Sequence, residues 1–211
     1  MGEGRHAAGP LTGTMVLFDW GDTVVIDADR ARAALNVVLT RRGLPALGET
    51  EFSMRFRLPL GELFGRLGVA DDDRADAEAE WTCELDVARA HLRDGAVECL
   101  DELSRQGAWL GVVSASSASA VRFDQRSLAV PAVWNSVDAS VPDKYALLLR
   151  HRATRREAYF VSDSADDMRC ASAAGFTPIG VTEGEASAGS LRAAGAVEVI
   201  SSLRELIPIV S

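Results

Sequence analysis

Lysine is nearly absent from this sequence. Of the 22 Lys and Arg residues among its 211 positions, all but Lys144 are arginine. A Walker phosphate loop requires a Gly-Lys pair, so its absence excludes that class of nucleotide-binding protein. Schiff-base chemistry, which needs a lysine amine, is confined to this one candidate.

Cysteine clusters, basic blocks and long apolar runs are missing as well. Cys83, Cys99 and Cys170 stand far apart, so the sequence offers no disulfide framework or zinc knuckle, and it favours a cytoplasmic protein. The formal net charge of −9 argues against nucleic acid and anionic membranes as partners. The apolar runs are too short to cross a bilayer.

The order of apolar and polar segments predicts an α/β protein. Short apolar runs that are typical of buried parallel strands lie at residues 15–18, 109–113, 158–161, 177–181 and 196–200. Helix-like segments lie at residues 95–106, 143–151, 166–174, 190–194 and 202–207. This alternation indicates a doubly wound parallel sheet with helices on both faces.

Residues 27–92 differ from the rest because they contain no convincing strand. Their segments 28–41, 60–67 and 73–91 have the apolar spacing of helices. A helical block between the first and second strands predicts a cap inserted at the carboxyl edge of the sheet, where ligands bind in open α/β folds. The other segments are interpreted as a flexible tail at 1–14 and a catalytic core at 15–26 and 93–211.

Acidic and hydroxyl side chains follow three of the predicted strands. Asp19, Ser114 and Asp163 come at the strand ends, and Asp22 and Asp167 follow a few residues later. Carboxylates gathered at one edge repel one another, and a magnesium ion, which prefers oxygen ligands, would relieve that repulsion. A carboxylate in such a site can attack phosphorus and form an aspartyl-phosphate.

The same edge also carries candidates for holding a phosphate group. They are the hydroxyl of Ser114, the amide of Ala115 that follows it, and the ammonium of Lys144. The alternative is that the strand-terminal Asp and Ser side chains only cap the helices that come next. The placement of the whole set on three strand ends favours a site.

Three segments carry motifs that belong together. They are VLFDWGDTVV, LGVVSASS and YFVSDSADDMRCASAAGFTPIGV. They resemble the first, second and fourth motifs of the haloacid dehalogenase superfamily of phosphatases and related hydrolases: Asp-x-Asp-Gly-Thr after a strand, a strand ending in Ser or Thr, and Gly-Asp-x-x-x-Asp before a helix. The resemblance covers residues 15–211 and implies a Rossmann-like core with an all-helical cap inserted after the first motif.

The resemblance implies a role for each matching residue. Asp19 would be the nucleophile and a magnesium ligand, and Asp163 would be the second carboxylate ligand. The backbone carbonyl of Gly21 would complete the protein's ligands to magnesium, and Asp167 would support the metal shell. Ser114 would bind the phosphate of the substrate.

The sequence departs from the family at two positions. The family's phosphatases place a general acid two residues after the nucleophile, where this chain has Gly21, with Asp22 next. Losing a positioned acid costs about 10²–10⁴ in rate, unless the leaving group needs no proton. The third motif commonly has Lys-Pro before a helix, whereas this chain has Pro142 followed closely by Lys144. Asp22 and Lys144 are both candidate catalytic residues.

The sequence therefore predicts a magnesium-dependent hydrolase of a small phosphorylated metabolite, acting through an aspartyl-phosphate on Asp19. One alternative is a catalytically weak relative that binds a phosphorylated ligand or a protein partner, which Gly21 favours. A metal-independent dehalogenase is the other. Phosphonoacetaldehyde hydrolase activity is disfavoured because the predicted cap has no lysine.

Arg55 and Arg57 flank Phe56 in the predicted cap, just before its 60–67 helix. An arginine pair there suits a second anionic group on the substrate. The alternative is that both are solvated cations at a helix end.

Overall fold

The computed structural model describes residues 9–57, 59–85, 90–182 and 185–211. The chain divides into two compact units. We call residues 26–91 the helical unit, and the segments on either side of it the core unit; these limits lie one residue from the predicted cap boundaries. In the described parts of the chain, no helix is long and apolar enough to span a membrane.

Strands of the described residues form two sheets. The strands are β1 (Thr14–Phe18), β2 (Val25–Ile26), β3 (His91–Leu92), β4 (Trp109–Val113), β5 (Ser136–Asp138), β6 (Glu157–Ser162), β7 (Thr177–Val181) and β8 (Glu198–Ile200). Six of them form a parallel sheet in the order β5-β4-β1-β6-β7-β8. The other two, β2 and β3, pair where the chain enters and leaves the helical unit. A parallel sheet with helical crossovers confirms the predicted Rossmann-like α/β class.

Helices account for the body of the helical unit. They are α1 (Ala28–Arg41), α2 (Glu49–Arg55), α3 (Leu60–Leu67) and α4 (Arg74–Leu85). Residues three or four positions apart on α1, such as Leu35 and Val38, are fully buried in one apolar cluster with Phe64 of α3. This shared cluster gives the unit a core of its own.

Two of the three helices predicted for this region have the limits given by their apolar spacing. The third, predicted over 73–91, is wrong at its end, because α4 stops at Leu85 and His91 lies in β3. Residues 86–89 of that prediction lie outside the described residues. The short helix α2 was not predicted.

The core unit packs helices against its sheet. They are α5 (Ala96–Arg105), α6 (Ala118–Ser127), α7 (Lys144–Arg152), α8 (Ala165–Ala173), α9 (Glu185–Ala193) and α10 (Leu206–Val210). All five residues of β1 are buried, because this strand has a partner on both edges and side chains packed on both faces. Such burial explains why its sequence is a continuous apolar run rather than an alternating one.

Parts of the core unit differ from the sequence prediction. Residues 9–14 are not a tail: Leu11 is buried, its amide donates to the carbonyl of Gln106, and Thr14 begins β1. Residues 1–8 lie outside the described residues. The strand predicted at 196–200 begins only at Glu198. Neither β5 nor α6 was predicted, since β5 lacks an apolar run and α6 is largely polar.

Candidate active site

Parallel strands end at one edge of the sheet, and the residues after them form the candidate site. The last residue of β1 pairs with Val112 of β4 and with Val161 of β6. The next residue, Asp19, therefore lies beside the ends of both neighbouring strands. Ser114 follows β4 directly, and Asp163 follows β6. The topology brings these three predicted site residues to the same edge.

Lys144, the first residue of α7, joins two carboxylates at this edge. Its Nζ lies 2.7 Å from Oδ2 of Asp19 and 2.6 Å from Oδ2 of Asp167. Burial alone would lower the pKa of Lys144, but the two negative charges outweigh burial and raise that pKa above its ordinary value. The side chain of Asp143 caps α7 by accepting from the amide of Ala146, which fixes where the lysine emerges.

Asp167 lies in the first turn of α8 and is buried. Its Oδ2 accepts a hydrogen bond from Oγ of Ser162 at 2.6 Å, in addition to the one from Lys144. Burial raises the pKa of Asp167; the charge of Lys144 opposes this shift, and the charge of Asp19 adds to it. The contacts of Asp167 are thus with the lysine and the serine, which gives it the geometry of a residue that orients Lys144.

Asp163 is held by Thr23, a fully buried residue of the loop after β1. Oγ1 of Thr23 donates to Oδ1 of Asp163 at 3.2 Å and accepts from the amide of Asp163 at 3.2 Å. Burial, together with the charges of Asp19 and Asp22, raises the pKa of Asp163 to about 8. The negative charge on this side of the edge therefore exceeds what the surrounding protein groups compensate.

The backbone of Trp20 shapes the loop that follows Asp19. Its amide donates to Oδ1 of Asp19 at 2.7 Å. Its carbonyl accepts from the amides of Val24 and Val25, each at 3.0 Å. The two carboxylate oxygens of Asp19 are thus held separately, one by this amide and the other by Lys144.

Asp22 has a left-handed backbone with a φ of 50°. Glycine adopts this conformation without strain and Asp tolerates it, so the chain keeps at Asp22 the backbone shape suited to the glycine of the family motif. Arg93, which is buried, donates from Nη2 to the carbonyl of Asp22 and from Nε to the carbonyl of Thr23 at 2.9 Å. Gly21, in the acid position, has no side chain that could transfer a proton.

Ser114 is buried, and its hydroxyl oxygen accepts from the amide of Ser116 at 3.2 Å. Its own amide donates to the carbonyl of Asp138, and its carbonyl accepts from the amide of Val141. The chain after β5 therefore braces the loop after β4. Ala115, at the tip of that loop, is exposed.

Arg55 and Arg57 lie in the helical unit, beside a cavity of about 320 Å³. Its lining is formed by Met54, Arg55, Arg57, Leu63, Arg66 and Leu67. Arg55 donates from Nη2 to the carbonyl of Arg66 at 3.3 Å, and Arg66 donates from Nη2 to the carbonyl of Arg57 at 3.0 Å. Three guanidinium groups thus border one cavity, and the third, Arg66, was not predicted.

The family profile of the haloacid dehalogenase-like hydrolases matches residues 16–181 of the chain. The chain belongs to this family. No match to an individual curated protein was found.

Solved structures have the fold of this haloacid dehalogenase-like hydrolase. A haloacid dehalogenase-like family hydrolase from Streptococcus pneumoniae is 18% identical, with a TM-score of 0.80 over 95% of this chain and 99% of its own. CbbY from Rhodobacter sphaeroides, solved in complex with phosphate, is 22% identical, with a TM-score of 0.77 over 93% and 96%. A predicted phosphoglycolate phosphatase from Haemophilus somnus is 16% identical, with a TM-score of 0.78 over 96% and 100%. At such identities the likeness shows the fold alone.

The residues of this haloacid dehalogenase-like hydrolase fit a magnesium ion, the metal that the resemblance implies. Within the described residues, no group of three or more His, Cys, Asp or Glu side chains could hold a metal by itself. Magnesium does not need one, because it takes one or two protein carboxylates and completes its shell with water and substrate phosphate. Asp19, Asp163 and the Gly21 carbonyl offer oxygen donors only, and the raised pKa of Asp163 marks the uncompensated charge that a cation would neutralise.

Several residues of the site were missed by sequence reasoning. The motifs that contain Ser162 and Thr23 predict no role for either residue, although each hydrogen-bonds a predicted site carboxylate. Ser162 directly precedes Asp163, and Thr23 lies in the loop after Asp19; these positions beside predicted site residues were the only indication of a role that the sequence offered. No sequence pattern indicated the hydrogen bond between Trp20 and Asp124, because the two residues are far apart in sequence.

Proposed function

We propose that this chain is a magnesium-dependent phosphatase of a small phosphorylated metabolite, and that Asp19 forms an aspartyl-phosphate. One observation carries the proposal: Asp19 stands at the end of the central strand, with one carboxylate oxygen held by Lys144 and the other by the Trp20 amide. Ser114 and Asp163 follow the strands on either side. A carboxylate so oriented faces the edge where open α/β sheets bind ligands.

The residues divide the reaction between them. An oxygen of Asp19 forms a bond to phosphorus while the bond from phosphorus to the leaving oxygen breaks, and the leaving oxygen takes the electron pair. Water then attacks the aspartyl-phosphate, releasing inorganic phosphate and restoring Asp19. Lys144 and the Ser114 loop hold the phosphoryl oxygens through both steps. Magnesium, when bound, supplies positive charge that offsets the repulsion between phosphate and carboxylates.

A metabolite screen tests this function. The purified chain is incubated with sugar phosphates, phosphorylated carboxylic acids, acyl phosphates and an aryl phosphate, with magnesium or with a chelator. We expect phosphate release from a subset that stops when the metal is removed. Phosphatase activity that ignores the chelator would contradict the proposal, and halide release from a haloacid would establish the dehalogenase alternative.

Gly21 favours a second candidate, a weak enzyme or a binding protein for a phosphorylated ligand. Without an acid at this position, the leaving oxygen departs unprotonated, so the rate of a weak enzyme depends steeply on the pKa of the leaving group. Gly21→Asp should then speed alkyl phosphates and leave aryl phosphates nearly unchanged. Equal rates for aryl and alkyl phosphates in the wild type would instead assign proton transfer to another group, for which Asp22 is the candidate.

We also propose that the arginine-bordered cavity binds an anionic group of the substrate remote from the reacting phosphate. The three guanidinium groups around it and its apolar floor of Leu63 and Leu67 suit a short molecule with an anionic end. The chain as a whole is acidic, with 22 Lys and Arg against 31 Asp and Glu. This excess of negative charge supports a metabolite, rather than nucleic acid or a membrane, as the partner.

The proposed compartment is the cytoplasm. Cys83, Cys99 and Cys170 are all free thiols, which is the usual state of cysteines in a reducing compartment. Non-reducing mass spectrometry of the protein isolated from its own cells would show three reduced thiols. A disulfide found there would contradict this assignment.

A further inference from the structure

A buried carboxylate away from the candidate site contacts the residue next to the nucleophile. Asp124, on α6, is 1% exposed, and its Oδ2 accepts a 3.0 Å hydrogen bond from Nε1 of Trp20, whose side chain is fully buried. Burying a carboxylate costs free energy unless the group is hydrogen-bonded. The indole N–H is therefore part of what keeps Asp124 in this place.

Trp20 links this buried contact to Asp19. The amide of Trp20 donates to Oδ1 of Asp19 at 2.7 Å, and its ring packs edge-on against Trp134, with 6.1 Å between ring centroids. Trp20 therefore carries both the buried contact with Asp124 and one of the two hydrogen bonds that hold the Asp19 carboxylate. The amide holds Oδ1 of Asp19, while Lys144 holds Oδ2, so a shift of the backbone at Trp20 would displace one end of the carboxylate.

The other end of the contact lies on the helix that follows the phosphate-binding loop. Ser117 caps α6 by accepting from the amide of Ala120 at 3.2 Å, and this serine comes three positions after Ser114. The hydrogen bond of Asp124 therefore joins α6 to the loop after β1, across a sequence separation of 104 residues. It therefore connects the loop that carries Asp19 with the helix that follows the Ser114 loop, and under the proposed function these two loops act on the same phosphoryl group.

We propose that Asp124 is a positioning residue that, through the indole of Trp20, sets the geometry of the Asp19 carboxylate relative to the Ser114 loop. Asp124 acts on the reaction through Trp20 and not by contact with substrate. The kinetic part of this proposal rests on the proposed phosphatase function, whereas the structural part does not.

Four variants separate positioning from stability. Asp124→Asn keeps an acceptor of the same shape, whereas Asp124→Leu removes the acceptor. Trp20→Phe removes the donor and leaves a buried carboxylate without it. The double variant Trp20→Phe with Asp124→Leu replaces the pair by apolar groups and should be more stable than Trp20→Phe, because the carboxylate that lost the indole donor is gone.

Trp134→Phe is the matched control. It also removes an indole from the same aromatic cluster, but Nε1 of Trp134 has no hydrogen-bond partner among the residues that the structure describes. Its loss should leave the loop after Asp19 where it is.

Kinetics with an aryl phosphate give the first measurement. We expect Asp124→Leu and the double variant to lose about tenfold or more in kcat with little change in KM, because a misplaced nucleophile slows the chemical step. Asp124→Asn and Trp134→Phe should stay within about threefold of the wild type. A double variant with a wild-type kcat, or losses that simply follow the melting temperature, would overturn the proposal. If Asp124→Leu fails to fold, the double variant decides this measurement.

Nuclear magnetic resonance of the metal-free protein gives the second measurement, independent of catalysis. With ¹⁵N-labelled tryptophan, the Trp20 signals are those that disappear in Trp20→Phe. Asp124→Asn should shift the indole signal modestly, since a neutral acceptor replaces a charged one, and Asp124→Leu should shift both the indole and the backbone amide of Trp20. A backbone amide signal that ignores the loss of Asp124 would refute the positioning role. A wild type without phosphatase activity would contradict the proposed function only, and the resonance measurement would still decide the role of Asp124.

Discussion

Charged side chains at the sheet edge of the core unit and at the arginine-bordered cavity of the helical unit are held differently. In the core unit, the side chains of Lys144, Asp19 and Asp167 are 15%, 13% and 8% exposed and joined by contacts of 2.7 Å or less. In the helical unit, Arg66 lines the arginine-bordered cavity; its side chain and that of its ion-pair partner Glu62 are 47% and 71% exposed and 3.6 Å apart. The first group is largely shielded from solvent and held by short contacts, whereas the second is largely solvated.

This difference suits the two groups to different roles, one in the chemical step and the other in binding. Buried charges in fixed positions act through a low dielectric and need no rearrangement when charge develops in the reaction. Exposed guanidinium groups are screened by salt and adapt to what binds them. Changes at the sheet edge should therefore lower kcat, and those that remove the counter-charge of the carboxylates should also lower stability, whereas changes at the cavity should mainly raise KM.

The largest effect is expected from the nucleophile. Asp19→Asn should lower kcat by at least about 10⁴-fold while the melting temperature changes little, because the amide has nearly the same shape but cannot attack phosphorus. Initial rates of phosphate release measure the loss. Asp166→Asn is the control, since Asp166 lies near the site but is 79% exposed in a pair with Arg169. An Asp19→Asn rate within about tenfold of the wild type would remove Asp19 from the mechanism.

Replacing Lys144 tests whether the shielded charges at the sheet edge contribute more to stability than exposed charges do. Lys144→Met should lower the free energy of unfolding by about 3 kcal/mol, because two buried carboxylates lose their counter-charge. Urea unfolding measures this change. Arg41→Met is the matched control in the helical unit, where Arg41 is 57% exposed and pairs with Glu80 and Glu84. Its loss should be under about 1 kcal/mol, and equal losses at the two sites would break the comparison.

Asp163 predicts a pH dependence that the cavity should not show. Its pKa of about 8 in the folded chain exceeds the ordinary carboxyl value, so the folded state keeps a proton that the unfolded state has released between about pH 4 and pH 8. The unfolding free energy should therefore fall as pH rises through that window, by up to about 1.4 kcal/mol per pH unit. Urea unfolding in a chelator at several pH values tests this slope.

Two comparisons sharpen the pH prediction. Asp163→Asn should reduce the slope, with the remainder due to Asp167, whose pKa is also raised by burial. Added magnesium should stabilise the wild type more at high pH than at low pH, because the cation and the proton compete for the same carboxylate. An unchanged slope in Asp163→Asn would assign the pH dependence to other groups.

The smallest effects are expected at the cavity. Arg55→Ala and Arg57→Ala should each raise KM by about three- to tenfold for a substrate with a second anionic group, with kcat nearly unchanged. Hydrolysis of a small aryl phosphate should not respond. Arg32→Ala is the control, because Arg32 pairs with Asp29 on α1 of the same unit. Equal losses on both substrates would point to a role in folding of the helical unit instead.

Burial on both faces explains which strands the sequence could predict. The runs that form β4 and β7 were predicted to the residue, because a central parallel strand needs continuous apolar side chains. The edge strand β5, with the sequence Ser-Val-Asp, has too few apolar residues to give that pattern. The carbonyl of Asp138 in this strand nevertheless accepts a hydrogen bond from the amide of Ser114. Because the strand itself could not be predicted, this contact of a site residue could not be predicted either.

The sequence predicted which residues lie at the candidate site better than it predicted which side chains they contact. Asp19, Ser114 and Asp163 were found because parallel topology gathers strand ends at one edge. The partners of these residues depend on side-chain directions that spacing does not give. Asp167 illustrates the limit: the resemblance implies that it supports the metal shell, but spacing alone did not give its hydrogen bonds to Lys144 and Ser162.

The pairing of β2 with β3 has a consequence for the order of folding. Met15 of β1 must find Trp109 of β4, with the whole helical unit between them in sequence, and the entropy lost in closing so long a loop slows folding. The apolar cluster of the helical unit uses only contacts within residues 26–91, so it can form before that closure. Once β2 and β3 have paired, the ends of the insertion are adjacent, and the chain that β1 must search is short. An insertion built this way lengthens the chain while adding little to the delay before the central sheet assembles.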